Sequence, residues 1–143
     1  MSDRVRMERT FQAPAQEVFE AWTSVEVLKR WWHAEHDWET PQAEVDLRLG
    51  GAVRLVMRNP QDGAEYGGGG EYLTIDAPRR LVFTWRWDDD DESKRQLIEV
   101  DFIDHGGSTT VVLTHTGLPE AENDDYVDGW RNSFDNLETA LAP

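Results

Sequence analysis

"RLVFTWRW", residues 80–87, decides the fold because it alternates with a period of two. Leu81, Phe83, Trp85 and Trp87 share one face, with Thr84 and Arg86 between them. Successive strand side chains point to opposite sides of a sheet, so this stretch predicts a strand with one face in an apolar core.

The same alternation spreads outward in both directions. Upstream, "EYLTI" (71–75) is short, and "AVRLVMR" (52–58) sets Val53, Leu55 and Met57 against Arg54 and Arg58. "AEVDLRL" (43–49) places Val45, Leu47 and Leu49 on one face, and "RVRMERTF" (4–11) does so with Val5, Met7, Arg9 and Phe11. Downstream, "QLIEVDF" (96–102) opposes Ile98, Val100 and Phe102 to Glu99 and Asp101. "TTVVLTH" (109–115) carries Thr109, Val111, Leu113 and His115 on one parity. An antiparallel sheet that wets one side produces this pattern.

Three segments change period. In "APAQEVFEAW" (13–22), Pro14 suits a first helical position, and Val18, Phe19 and Trp22 fall on one helical face. Thr23 with Glu26 predicts a capping box that opens a second short helix carrying Leu28, Trp31 and Trp32. Residues 123–142 predict a long amphipathic helix, with Val127, Trp130, Phe134, Leu137 and Leu141 at alternating spacings of three and four. Asp124 and Asp125 suit its N-terminal dipole. The expectation is an α+β fold: a curved antiparallel sheet of six to seven strands around a long C-terminal helix, with two short helices after the first strand. Residues 1–143 read as a single domain, with no internal repeat or linker.

Composition narrows the function. A net charge of −15 and the lack of a basic patch exclude nucleic acid as a partner and disfavour anionic lipid surfaces. The absence of cysteine excludes disulfides, thiolate catalysis and cysteine-held metals. No apolar run reaches the ~18–20 residues of a membrane helix. "MSDRVRMERTF" has no signal-peptide core, so a soluble cytoplasmic protein without membrane insertion is expected.

"RTFQAPAQEVFEAWTSVEVLKRWW", "DLRLGGAVRL", "RLVFTW" and "HTGLPE…GW" resemble, in order and spacing, the Hsp90-ATPase-activator-like (AHSA1-type) branch of the START-like (SRPBCC, helix-grip) superfamily. The resemblance spans roughly residues 5–141. It implies a cavity between the concave sheet and the long helix. Superfamily relatives bind lipids, sterols, polyketides or plant hormones, and some are cyclases or hydroxylase subunits. His33-Ala34 stands where members commonly have a proline. The eukaryotic activators also carry a separate N-terminal domain, for which 143 residues leave no room.

On this basis the expected function is non-catalytic binding of a small hydrophobic ligand, with no cofactor. Phe83, Trp85, Val111, Trp130 and Phe134 are the expected walls, and Trp31 or Trp32 the rim. Arg9, Tyr72 and His115 are the polar groups expected to orient a ligand, and the loops around 31–38 and 59–70 the entrance. A chaperone-binding protein module is the first alternative, and a polyketide-cyclase or hydrolase-type enzyme the second. No nucleophile–base–orienter set can be read, so no catalytic residue is assigned.

Other motifs favour plain readings. In "RWWHAEHDW" (30–38), His33 and His36 have metal-ligand spacing, but the helix is expected to end near Trp32. Surface histidines are expected there. "YGGGGEY" (66–72) lacks the Lys-Ser/Thr and helix of a phosphate loop and reads as a bulge or bend. "WDDDDES" (87–93) lacks the calcium-loop ligand pattern and reads as a solvated hairpin tip. Nothing marks either sheet edge for self-association.

Overall fold

The computed structural model describes residues 4–141, so the ends of the expected 1–143 domain and residue 142 of the expected helix lie outside the described residues. The elements are β1 (Arg4–Phe11), α1 (Ala15–Thr23), α2 (Val25–Trp31), β2 (Glu39–Val45), β3 (Ala52–Arg58), β4 (Glu65–Asp76), β5 (Arg80–Trp87), β6 (Gln96–Asp104), β7 (Thr109–Thr116) and α3 (Asn123–Leu141). The strands form one antiparallel sheet in the order β1-β7-β6-β5-β4-β3-β2. The sheet curves, and α3 lies against α1, α2 and β1.

The core follows the strand parity. Leu81, Phe83 and Trp85 of β5, Ile98, Val100 and Phe102 of β6, and Val111, Leu113 and His115 of β7 are all buried. Register ties them together: Phe83 faces Ile98, and Ile98 faces His115. From α3, Phe134 meets Phe11 edge to face with ring centroids 5.8 Å apart. Trp22 links the helices, with its ring 4.7 Å from Trp31 and 5.9 Å from Trp130. The Phe134–Phe11 and Trp22–Trp31 pairs add to the burial term because edge and face carry opposite partial charge, while Trp22 and Trp130 stack at 25°.

Four local expectations are corrected. The capping box does not form: Ser24 is the N-cap of α2 without a side-chain bond, while the Thr23 hydroxyl donates back to the Phe19 and Glu20 carbonyls. Pro14 likewise stands one position before α1, as its N-cap. The strand read over 43–49 lies instead at 39–45, and Leu47 and Leu49 are exposed at 44% and 68%. Pairing with β3 ends at Val45, ahead of those residues, and the chain turns at Gly50, with φ of +78°, on its way into β3. Finally, the glycine run holds no bulge, since β4 continues through Gly67–Gly70 with all four paired to β3 and Gly68 and Gly69 paired to β5 as well. The register shift falls later, between Tyr72 and Thr74.

The glycines allow neighbouring groups to come close. A Cβ at Gly68 would stand 2.7 Å from the Trp85 ring, and one at Gly70 would stand 2.0 Å from the Thr84 carbonyl oxygen. Bare backbone lets the Trp85 indole lie directly against β4.

Candidate functional site

A cavity of about 510 Å³ opens between the α2–β2 connection, the helix-facing side of β3 to β7, and the first half of α3. Trp31 is the last residue of α2, whereas Trp32, expected on the same helix, is its C-cap with non-helical backbone, and the two side chains diverge. Trp31 is fully buried, with its indole N–H donating to the Ala21 carbonyl at 2.9 Å. Trp32 instead lines the cavity, with its ring 5.1 Å from Trp85 and 6.4 Å from Trp87. Trp85 and Trp87 are nearly perpendicular at 84°, so the three indoles present differently tilted surfaces. Trp38 and Tyr66, stacked 5.4 Å apart at 7°, also line it, with Met57 paired to Tyr66 on the neighbouring strand.

His115 lines the cavity from β7, 2% exposed. The Trp130 indole can only donate, and it donates to His115 Nδ1 at 3.0 Å. The ring proton therefore sits on Nε2 and donates to Gln96 Oε1 at 2.6 Å. Burial lowers the pKa of His115 to about 3, so the ring is neutral at pH 7. The Gln96 amide reaches the Tyr126 hydroxyl at 3.5 Å, and the Trp87 N–H donates to the same oxygen at 2.8 Å. Burial raises the Tyr126 pKa, which keeps the phenol protonated. This chain joins β5, β6, β7 and α3 around the cavity.

His33 is not the surface residue expected. It is buried and lines the cavity, with Nδ1 3.0 Å from Thr40 Oγ1. Thr40 donates its own hydrogen to the Trp32 carbonyl, so the Nδ1–H of His33 donates to Thr40. Burial lowers the His33 pKa, which leaves a neutral ring whose Nε2 is an acceptor. Ser133 and Asn132 of α3 hold this connection by donating to the His33 and Ala34 carbonyls at 2.8 and 2.9 Å. His36 turns outward to Asp135 at 3.0 Å. The two histidines thus share no helical face, and no group of three or more His, Cys, Asp or Glu among the described residues is arranged to hold a metal.

Of the expected site residues, Trp32, Trp85, His115 and Trp130 meet at the cavity. Trp31, Phe83, Val111, Phe134 and Tyr72 lie in the core behind it, because their strand or helix positions turn them toward other core side chains. Tyr72 packs edge to face on Phe83 at 5.9 Å, and its burial raises its pKa. Arg9 lies away from the cavity lining and is committed to Asp135 at 2.7 Å, with its guanidinium carbon 5.8 Å from the Phe134 ring centre. Tyr126, Gly129 and Ser133 were missed as site residues because they form a second stripe on α3, beside the apolar one. The i, i+4 pair Tyr126 and Trp130 is the signal in the sequence that could have found them.

An antiparallel curved sheet gripping a C-terminal helix, with a cavity at the helix, defines the helix-grip class of α+β proteins. The chain belongs to the family of Activator of Hsp90 ATPase homolog 1-like proteins, whose family model matches residues 12–142. Solved structures agree on the fold. A protein from Chromobacterium violaceum superposes with a TM-score of 0.88 at 22% identity, covering 98% of both chains. The AHSA1 protein of Silicibacter pomeroyi gives 0.83 at 27% identity, covering 96% of both. Among curated relatives, the human activator of 90 kDa heat shock protein ATPase homolog 1 is 22% identical over 131 residues, 92% of this chain and 34% of that protein. The chain thus spans about a third of the length of the curated relatives it matches. No helix among the described residues is long and apolar enough to cross a membrane.

Proposed function

We propose that the protein, acting as one START-like domain, binds a small and largely apolar molecule in the cavity at α3 without transforming it. The observation that carries this reading is a space of about 510 Å³ lined chiefly by indole, phenol and aliphatic groups. Pockets for small ligands have this size and character. Covering ~300 Å² of apolar ligand surface contributes ~7 kcal/mol before association costs. In this reading Trp32, Trp85 and Trp130 form the inner wall, Trp38, Tyr66, Trp87 and Tyr126 form the outer wall, and His115 orients the ligand from within. Arg9 plays no part in binding.

The test is native mass spectrometry of gently purified protein, followed by titration with the neutral probe N-phenyl-1-naphthylamine. A co-purifying mass, or saturable probe binding weakened in Trp87→Ala, supports the pocket. A bare mass together with no saturable response rejects it.

A second reading rests on the curated relatives, which are named as activators of a heat shock protein ATPase. A chaperone partner for this chain is proposed on that likeness. Exposed Leu47 and Leu49, beside the acidic surface, supply apolar contacts for such a partner. Stimulation of a purified Hsp90 ATPase by the wild type, lost in a Leu47→Ser, Leu49→Ser double variant, supports it. An unchanged ATPase rate removes it.

A further inference from the structure

We infer that the cavity prefers an apolar molecule carrying one positive charge, a protonated amine in chemical class, over neutral or anionic molecules of the same shape. This inference rests on the pocket-binding reading above and sharpens it. The charged side chains in the cavity lining are of one sign. Glu122 and Asp125 stand exposed in its lining, and no lysine or arginine is among the lining residues. The two imidazoles add no opposing charge, since burial lowers the pKa of both His33 and His115.

The aromatic lining points the same way. Indole and phenol faces carry negative quadrupole potential, so Trp38, Tyr66, Trp87 and Tyr126 attract a cation as well as burying an apolar body. Neutral His33 presents Nε2 as an acceptor for an N–H, because Nδ1 is already engaged with Thr40. A ligand carboxylate would find no counter-charge here and would pay its full desolvation penalty.

The surface outside extends the field. An adjoining depression shares Tyr66, Trp87, Glu122 and Tyr126 with the cavity and adds Glu65, Asp88, Asp89 and Asp90 against Lys94, the one cation in its lining. Asp88 is already paired with Arg54 at 2.8 Å and Glu65 lies 4.0 Å from Arg58, which leaves Asp89 and Asp90 as its contribution. With a net charge of −15 behind them, these acids raise the local concentration of small cations. The preferred pose sets the apolar body against Trp85 and Trp130 and the ammonium at the mouth beside Glu122 and Asp125, where it stays partly hydrated.

Isothermal calorimetry with three matched probes tests this: 2-(1-naphthyl)ethylamine, 2-(1-naphthyl)ethanol and 1-naphthylacetate. The amine is expected to bind about tenfold more tightly than the alcohol, with the carboxylate weakest. In a Glu122→Gln, Asp125→Asn double variant the amine is expected to lose most of that margin, while the alcohol binds as before. Added salt is expected to weaken only the amine. Equal binding of amine and alcohol, or a carboxylate that binds best, overturns the charge preference and leaves the pocket standing. Failure of all three probes overturns both.

Discussion

The Trp130 indole N–H donates to Nδ1 of His115 at 3.0 Å, and this one bond sets the state of a ring buried among aromatic side chains. With Nδ1 taken as an acceptor, the neutral ring must carry its proton toward Gln96, and protonating it would break the bond to Trp130. The pair therefore couples the packing of α3 onto β7 to the charge of a single imidazole.

That coupling gives a pH prediction. The folded pKa of His115, about 3, lies below the ordinary value of 6.5, so the unfolded chain binds the extra proton first. Stability from the neutral ring is fully present above the unfolded value and declines as pH falls from there toward 3. The expected loss approaches ~1.4 kcal/mol per pH unit between pH 6 and 4.5, before most carboxylates titrate. Urea denaturation across this window should show a shallower slope for His115→Gln. Parallel slopes would mean that the ring titrates normally in the folded protein.

Gly70 and Gly68 predict graded costs of a single methyl group. Gly70→Ala sets a Cβ 2.0 Å from a backbone oxygen that cannot move away, whereas Gly68→Ala meets the Trp85 ring at 2.7 Å and the Arg86 oxygen at 2.8 Å. Overpacking of this kind costs ~1–3 kcal/mol, with Gly70→Ala the worse of the two. Urea midpoints are the measurement. Stabilities equal to wild type would mean that β4 does not approach β5 so closely.

The neighbouring tryptophans should separate by role. Trp31→Ala empties a fully buried site and removes the hydrogen bond to Ala21, for a loss of ~3–5 kcal/mol. Trp87, half-buried at the cavity, should cost less in stability when changed to alanine and more in probe affinity. Thermal melts and probe titrations on both variants check this, and it fails if Trp87→Ala unfolds the protein while Trp31→Ala does not.

Arg9 and Asp135 give a contrasting expectation. Arg9 beside Asp135, together with His36, holds the Asp135 pKa below the ordinary carboxylate value, so stability from the pair is present at neutral pH and is lost on acidification. The Asp135 side chain is 45% exposed, and water screens the pair to under ~1 kcal/mol. Arg9→Ala should leave probe affinity unchanged, and a large loss of binding would return Arg9 to the ligand site.

The legible parts of the sequence were those where side chains repeat against a continuous partner. β5 and β7 read correctly because every second residue along each strand enters the core. Leu47 and Leu49 misled because the period of two outlasted the pairing that gives it meaning: Asp46 N–H is the last to bond across to β3, at the Ala52 carbonyl. The glycines misled because their reason is the Trp85 ring on the next strand, which is remote in sequence. For the site, His33 was unreadable as a lining residue, since its burial depends on Thr40 and on α3 closing over the connection. His115 was recognisable from strand parity alone.

Six of the seven tryptophans fall into two chains of touching rings, Trp22 with Trp31 and Trp130, and Trp32 with Trp85 and Trp87. At centroid separations of 4.7 to 5.9 Å, excitation absorbed by one indole passes to its neighbours before it is emitted. These six indoles therefore emit as two antennas rather than as independent lamps. One antenna borders the cavity through all three of its rings, the other through Trp130 alone. A molecule that darkens Trp87 should dim the whole first group, so the spectrum amplifies an event at a single side chain.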